Sequence, residues 1–148
     1  MLHKAGIEHR LLRYDYRPAG GAERAAAELG VEPERMYKSL VARAGDELVF
    51  ALVPTDAVLS LKKLAAAAGA KHAAMAPPRD AERVTGYQVG GISPLGSRKA
   101  LRVFLDEGAQ AFERVCLNAG NRGHIVELAT ADLIRVTRAA VCDLSAGA

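Results

Sequence analysis

The sequence predicts a mixed α/β fold, with a curled or barrel-like mixed sheet and helices packed around it. Three observations carry that expectation. Half of the 148 residues are hydrophobic, enough for one continuous core in a single domain spanning residues 1–148. Strand-like apolar runs interleave with Ala-rich and proline-initiated helical segments. Two of the apolar runs, residues 36–44 and 47–53, meet across Gly45-Asp46, a spacing that suits a tight antiparallel hairpin.

Taken in order, residues 8–14 read as a first strand holding Leu11 and Leu12, and residues 22–29 as an Ala-rich helix that stops at Gly30. After the hairpin, residues 60–68 form a strong helix with Ser60 as its cap and Gly69 as its stop. A short strand is expected at 72–75, and a helix opening on a proline at 78–84. Residues 87–97 carry Gly90, Gly91, Pro94 and Gly96, too many breakers for a helix or a central strand, so they form a shaped loop. Strands at 100–105, 114–118 and 125–128, a helix at 130–137 and a closing strand at 139–144 complete the chain.

Composition narrows the function classes. Lys and Arg number 20 against 17 Asp and Glu, a net charge of +3 that tolerates a nucleic-acid backbone without announcing one. No Trp is present, so a platform for stacking many unpaired bases is not visible. Cys116 and Cys142 stand singly in apolar stretches without Cys or His at metal spacing, which excludes a disulfide framework and a zinc site. His3, His9, His72 and His124 are scattered, so neither a metal site nor a Ser-His-Asp relay is expected. Charge arrives by Lys4, and no apolar run approaches the roughly 20 residues that span a bilayer, so a cytoplasmic location without membrane contact is expected.

The sharpest chemical signal is Gly90-Gly91-Ile92-Ser93-Pro94-Leu95-Gly96. Adjacent glycines leave backbone N–H groups unshielded by Cβ, free to approach a carbonyl or phosphate oxygen. A nucleophile elbow would need Gly where Leu95 stands, and a P-loop would need Lys where Ser97 stands, so both are rejected. The spacing alone leaves open a structural turn between two strands. Lys38, in Met36-Tyr37-Lys38-Ser39-Leu40, is either a cation in a cleft or an exposed edge residue. Tyr14 reads equally as a packing aromatic or a substrate contact, and Asp132 is sufficiently explained by the dipole of the last helix.

Taken together, Met36-Tyr37-Lys38-Ser39-Leu40, Leu61-Lys62-Lys63-Leu64 and Thr85-Gly86-Tyr87-Gln88-Val89-Gly90-Gly91-Ile92-Ser93-Pro94-Leu95-Gly96 resemble the YbaK family in the same order. The resemblance continues through Asn121-Arg122-Gly123 and Glu127-Leu128-Ala129-Thr130-Ala131-Asp132-Leu133, and covers the chain from Gly6 to about Leu144. It implies the fold shared with the editing domain of bacterial prolyl-tRNA synthetases. It also implies an aminoacyl-tRNA deacylase that removes chiefly cysteine from the proline tRNA, without metal or organic cofactor. Aminoacyl-tRNA is the implied substrate, and prolyl-tRNA synthetase the implied partner, in a transient complex.

By position, the resemblance assigns catalytic roles to Lys38, Gly91, Ile92 and Ser93. It assigns substrate contacts to Tyr14, Ser39, Gly90, Pro94, Asn118 and Asp132. The family's proposed chemistry lets the substrate's own thiol attack its ester, which accounts for the lack of a nucleophile with a base. The protein then has to hold the acyl group and stabilise the oxyanion with loop amides and a cation. Where the family usually has His and Asp after the first-strand tyrosine, this chain has Tyr16 and Arg17; Ser39 replaces a Thr, and Asn118 a Ser. These changes touch side-chain selectivity more than deacylation. The alternatives are editing of alanine or another small amino acid, and a non-catalytic adaptor for tRNA or its synthetase.

Overall fold

A computed structural model describes residues 6–18 and 21–146; the amino-terminal residues 1–5 read above lie outside it. Among the described residues, eight strands and four helices follow the order β1 (His9–Arg13), α1 (Gly21–Leu29), β2 (Tyr37–Ala44), β3 (Glu47–Pro54), α2 (Leu61–Ala68), β4 (Ala73–Met75), α3 (Pro78–Thr85), β5 (Arg102–Asp106), β6 (Arg114–Asn118), β7 (His124–Ala129), α4 (Thr130–Thr137) and β8 (Ala140–Cys142). Short 3₁₀ turns at Pro33–Arg35 and Glu107–Ala111 were not anticipated from the sequence.

Local chemistry accounts for the boundaries. The Ser60 hydroxyl accepts the Lys63 N–H at 3.1 Å and starts α2, which Gly69 ends in the left-handed conformation. Gly45 takes φ +63° in the hairpin that pairs β2 with β3 from Tyr37–Pro54 to Ala44–Glu47.

The expectation of one curled or barrel-like sheet is overturned. Two open sheets form instead: β1-β7-β6, all antiparallel, and β4-β2-β3-β5-β8, in which β5 runs parallel to both β3 and β8. A barrel needs continuous pairing around its whole girth. Here the only ladder contact between the sheets, among the described residues, is one parallel bridge, Met36–Cys116. Beyond that bridge β2 continues along β3 and β4, and β6 continues along β7, so the seam between them opens.

The facing surfaces of the two sheets enclose the main core: Val41, Phe50, Leu52 and Leu105 from one, Val115, Leu117, Val126 and Leu128 from the other. Leu64 of α2 covers the outer face of the larger sheet, against Val49, Ala51, Val53 and Phe104. Ala25 and Ala26 of α1 cover the outer face of the smaller one, against Cys116 and Ile125.

Candidate functional site

The glycine loop is clamped from its neck to its tip. Arg98 and Lys99 donate backbone N–H groups to Thr85 and Val84, closing the neck at 2.8 and 2.9 Å. Inside it, the Tyr87 hydroxyl donates to the Leu95 carbonyl at 2.6 Å, and Ile92 and Leu95 anchor in the core between the sheets. Gly90 sits at φ +98°, and a Cβ there would lie 2.6 Å from the Tyr16 ring. A Cβ on Gly91 would lie 3.0 Å from the backbone at Asn121 and Arg122, in the turn between β6 and β7. Both glycines are therefore demanded by close approach, which the sequence expressed only as a cluster of breakers. Arg122 completes the clamp: its guanidinium lies 4.9 Å from the Tyr16 ring centroid, and its Nε donates to the Val89 carbonyl at 2.8 Å.

The loop's polar groups divide into spent and unspent. Gly91 donates its N–H to the Gln88 carbonyl at 2.9 Å, so its amide closes the turn instead of facing a ligand. Ser93 is fully buried, and its Oγ accepts the Leu95 N–H at 3.1 Å, which makes it a turn former. The Ile92 and Ser93 amides have no backbone partner among the described residues. The Gly90 and Gly96 amides likewise have none, so four N–H groups between Gly90 and Gly96 are left without a backbone partner.

The other half of the site lies where the seam opens. Counting two residues onward from Met36 and Cys116 reaches Lys38 and Asn118, on the same face as the bridge residues by strand alternation. That face is the one on which Tyr14 packs with Met36, Cys116 and Ile125. Tyr14 is buried, its backbone N–H donates to the Gly123 carbonyl at 2.9 Å, and burial raises the pKa of its phenol. Lys38 is half-buried and has no ion pair among the described residues. Ser39 points to the opposite side, with Tyr37 and the core that holds the loop's anchors. The seam thus offers Ser39 on the loop's side and Lys38, Asn118 and Tyr14 on the other.

Two atoms at this opening are buried without a hydrogen-bond partner, Ser39 Oγ and Asn118 Oδ1. An unpaired buried acceptor costs about 1 to 3 kcal/mol, so it marks a place where a ligand group is worth binding. Pro94 is half-buried beside Ser93 in the loop. Asp132 lies apart from this group. Asn118 stands opposite Ile125 at one end of β7, whereas α4 begins after Ala129, about 13 Å along the strand. There Asp132 pairs with Arg135 at 3.0 Å in the first turn of α4. Four cavities of about 300 to 620 Å³ open elsewhere on the surface, and none of these four is lined by Lys38 or by the loop tip.

A buried ion pair, invisible in the sequence, holds the seam at its closed end. Arg35, directly before the bridging Met36, donates to Glu127 of β7 at 2.8 Å and to Glu32 at 2.9 Å. Arg10 approaches the second Glu127 oxygen at 3.4 Å, and the Cys116 thiol, its pKa raised by burial to about 11, lies 3.9 Å from the oxygen that Arg35 holds. The hydrogen bond from Arg35 holds the Glu127 carboxyl below its ordinary pKa. A depressed carboxylate contributes stability above its unfolded pKa, and that stability is lost as pH falls through the folded one. Glu127→Gln should therefore cost about 2 to 3 kcal/mol at pH 7, since it leaves two guanidinium groups short of a partner. Thermal melts should show the gap between wild type and variant narrowing as pH falls below the ordinary carboxylate range and through the depressed pKa of the folded state, where the wild-type carboxylate is itself protonated.

Among the described residues no group of three or more His, Cys, Asp or Glu could hold a metal ion, and no helix is long and apolar enough to cross a membrane.

Comparison with known proteins shows the family. The aminoacyl-tRNA editing domain family matches residues 17–136. The chain is similar to EbsC of Enterococcus faecalis, a provisionally assigned Cys-tRNA(Pro)/Cys-tRNA(Cys) deacylase, at 37% identity over 126 residues, covering 84% of this chain and 76% of the relative. It is also similar to the multifunctional Ser/Thr-tRNA deacylase ProXp-y of Escherichia coli, at 25% identity over 93% of this chain and 84% of that protein. A crystal structure assigned provisionally to a trans-editing enzyme for prolyl tRNA synthetase superposes with a TM-score of 0.83 at 27% identity, covering 99% of this chain and 92% of that one. The family match over most of the chain establishes that this protein belongs to the aminoacyl-tRNA editing domain family of the YbaK type and is a hydrolase acting on the ester bond of aminoacyl-tRNA.

Proposed function

We propose that the chain acts as a free-standing, single-domain trans-editing enzyme whose main substrate is Cys-tRNA(Pro), engaged in a transient complex with prolyl-tRNA synthetase. What supports this reading is a clamped glycine loop whose Ile92 and Ser93 amides have no backbone partner, together with a half-buried Lys38 that has no ion pair among the described residues. The aminoacyl ester lies across the seam, its carbonyl oxygen on the amides and the Lys38 ammonium balancing the developing charge. Ser93, spent on its own turn, is not the nucleophile. The cysteine thiol of the substrate attacks the carbonyl carbon, the ester bond to the ribose breaks, and the thiol proton passes to the ribose oxygen. The released thiolactone is then opened by water. Gly90, Gly91 and Pro94 shape the loop, while Tyr14, Ser39 and Asn118 line the acyl group; Asp132 lies apart from it in the first turn of α4.

A second reading is favoured by the orphaned Asn118 Oδ1 and Ser39 Oγ, which suit a hydroxyl-bearing acyl group better than a thiol, the weaker donor. Comparing Cys-, Ser- and Ala-tRNA(Pro) as substrates separates the two. Thiol-assisted cleavage predicts hydrolysis of Cys-tRNA(Pro) and little turnover of Ala-tRNA(Pro). Rapid loss of Ser-tRNA(Pro) would assign a hydroxyl-reading site, and equal loss of all three would remove substrate assistance. An adaptor would leave every ester intact.

A further inference from the structure

At the far end of β2 from Lys38, two neighbouring clefts of about 560 and 620 Å³ share Arg43, Asp46 and Glu47. Their walls bring together five cations: Arg43, Lys71, Arg83, Lys99 and Arg102. Asp46 and Glu47 lie among them, Arg102 already occupies Glu47 at 2.9 and 3.0 Å, and Arg83 is paired with Asp80 at 3.6 Å. Elsewhere the arginines are mostly tied down: Arg10 and Arg35 to Glu127, Arg17 and Arg24 to Asp15. Arg43, Lys71 and Lys99 are exposed and have no ion pair among the described residues.

We infer that this surface binds the phosphate backbone of the tRNA strand whose 3′ end carries the ester, an inference that rests on the deacylase reading for where that end lies. Two routes connect surface and site. Strand β2 leads from Lys38 to Arg43 over five residues, about 17 Å, and the glycine loop returns to Lys99 at its neck. By strand alternation Arg43 lies on the side of Ser39 and the loop, so with the terminal ribose at the seam the preceding phosphates run on that side toward Arg43 and Lys99. A protein partner would need a desolvated apolar centre with charge confined to its rim. Here the unpaired cations are the main feature, which suits a polyanion read by charge and not by sequence.

The test uses the double variant Arg43→Gln/Lys99→Gln, with Arg43→Lys/Lys99→Arg as the charge-keeping control and circular dichroism melts to confirm folding. Fluorescence anisotropy with deacylated tRNA should show the dissociation constant rising on the order of 10-fold, and the log–log salt slope falling by about 0.7 to 0.9 for each cation removed. The control should bind like wild type. Hydrolysis of a cysteinyl CCA trinucleotide should be unchanged, while KM for full-length Cys-tRNA rises. Unaltered tRNA affinity and salt slope would overturn the proposal. So would equal loss on trinucleotide and tRNA, or loss only of stimulation by the synthetase, which would assign the surface to a protein. If wild type cleaves neither ester the deacylase reading fails, and the anisotropy still decides the surface.

Discussion

Lys38→Ala should lower kcat/KM for hydrolysis of Cys-tRNA(Pro) by on the order of 10²-fold, the usual worth of one preorganised charge partner for a developing oxyanion. Its melting temperature should stay close to that of wild type. Lys38 is half-buried at the start of β2, has no ion pair among the described residues, and holds its place through the backbone ladder to Val53, which alanine keeps. A loss confined to activity is therefore a loss at the site. The split between constants adds information: a fall in kcat alone places the ammonium on the transition state, whereas a rise in KM alone places it on the ribose or a phosphate. Full activity in a folded variant would remove Lys38 from the chemistry and leave the amides of Ile92 and Ser93 to act unaided.

The second large effect belongs to Gly91→Ala. The added methyl carbon would stand 3.0 Å from the carbonyl carbon of Asn121 and from the Arg122 nitrogen. Both are backbone atoms of the turn that also fixes Tyr14 through Gly123, so the loop and not the turn has to yield, by a few tenths of an ångström. The donors at Ile92 and Ser93 move with it. Displacement on this scale should reduce kcat by about 10- to 10²-fold, with a stability cost of about 1 to 2 kcal/mol from overpacking. Single-turnover rates and a melt on the same preparation check both. Wild-type rates in the variant would show that the loop tip does not touch the reacting carbonyl.

These two variants probe halves of the site that were legible to different degrees. By itself the spacing left the loop open to a structural turn and Lys38 to an exposed edge residue, and it was the resemblance to the YbaK family that gave both a role. Neither showed which loop groups remain free. That Gly91 spends its amide on Gln88 while Ile92 and Ser93 do not follows from the turn the loop adopts against Tyr16 and Asn121. Tyr16 and Arg122 were noted only as a departure and as part of a shared block. Their stacking joins segments more than 100 positions apart, and no window along the chain contains both.

What the sequence determined by itself is the set of elements. Strand β6 and helix α4 match the residues expected, 114–118 and 130–137, and the Ser60 cap and Gly69 stop of α2 stand where their chemistry placed them. Periodicity, caps and turn residues act over a few positions and so can be read locally. The tertiary structure alone decided that the strands divide into two sheets and do not close into a barrel, that β5 runs parallel to its neighbours, and that Arg35 and Glu127 staple the seam. It also carried Asp132 away from Asn118 to the far end of β7. Strand pairing and buried charge depend on which distant surfaces meet. That choice is set by the burial of the whole core and by where β2 stops following β6, and no short stretch of sequence records it.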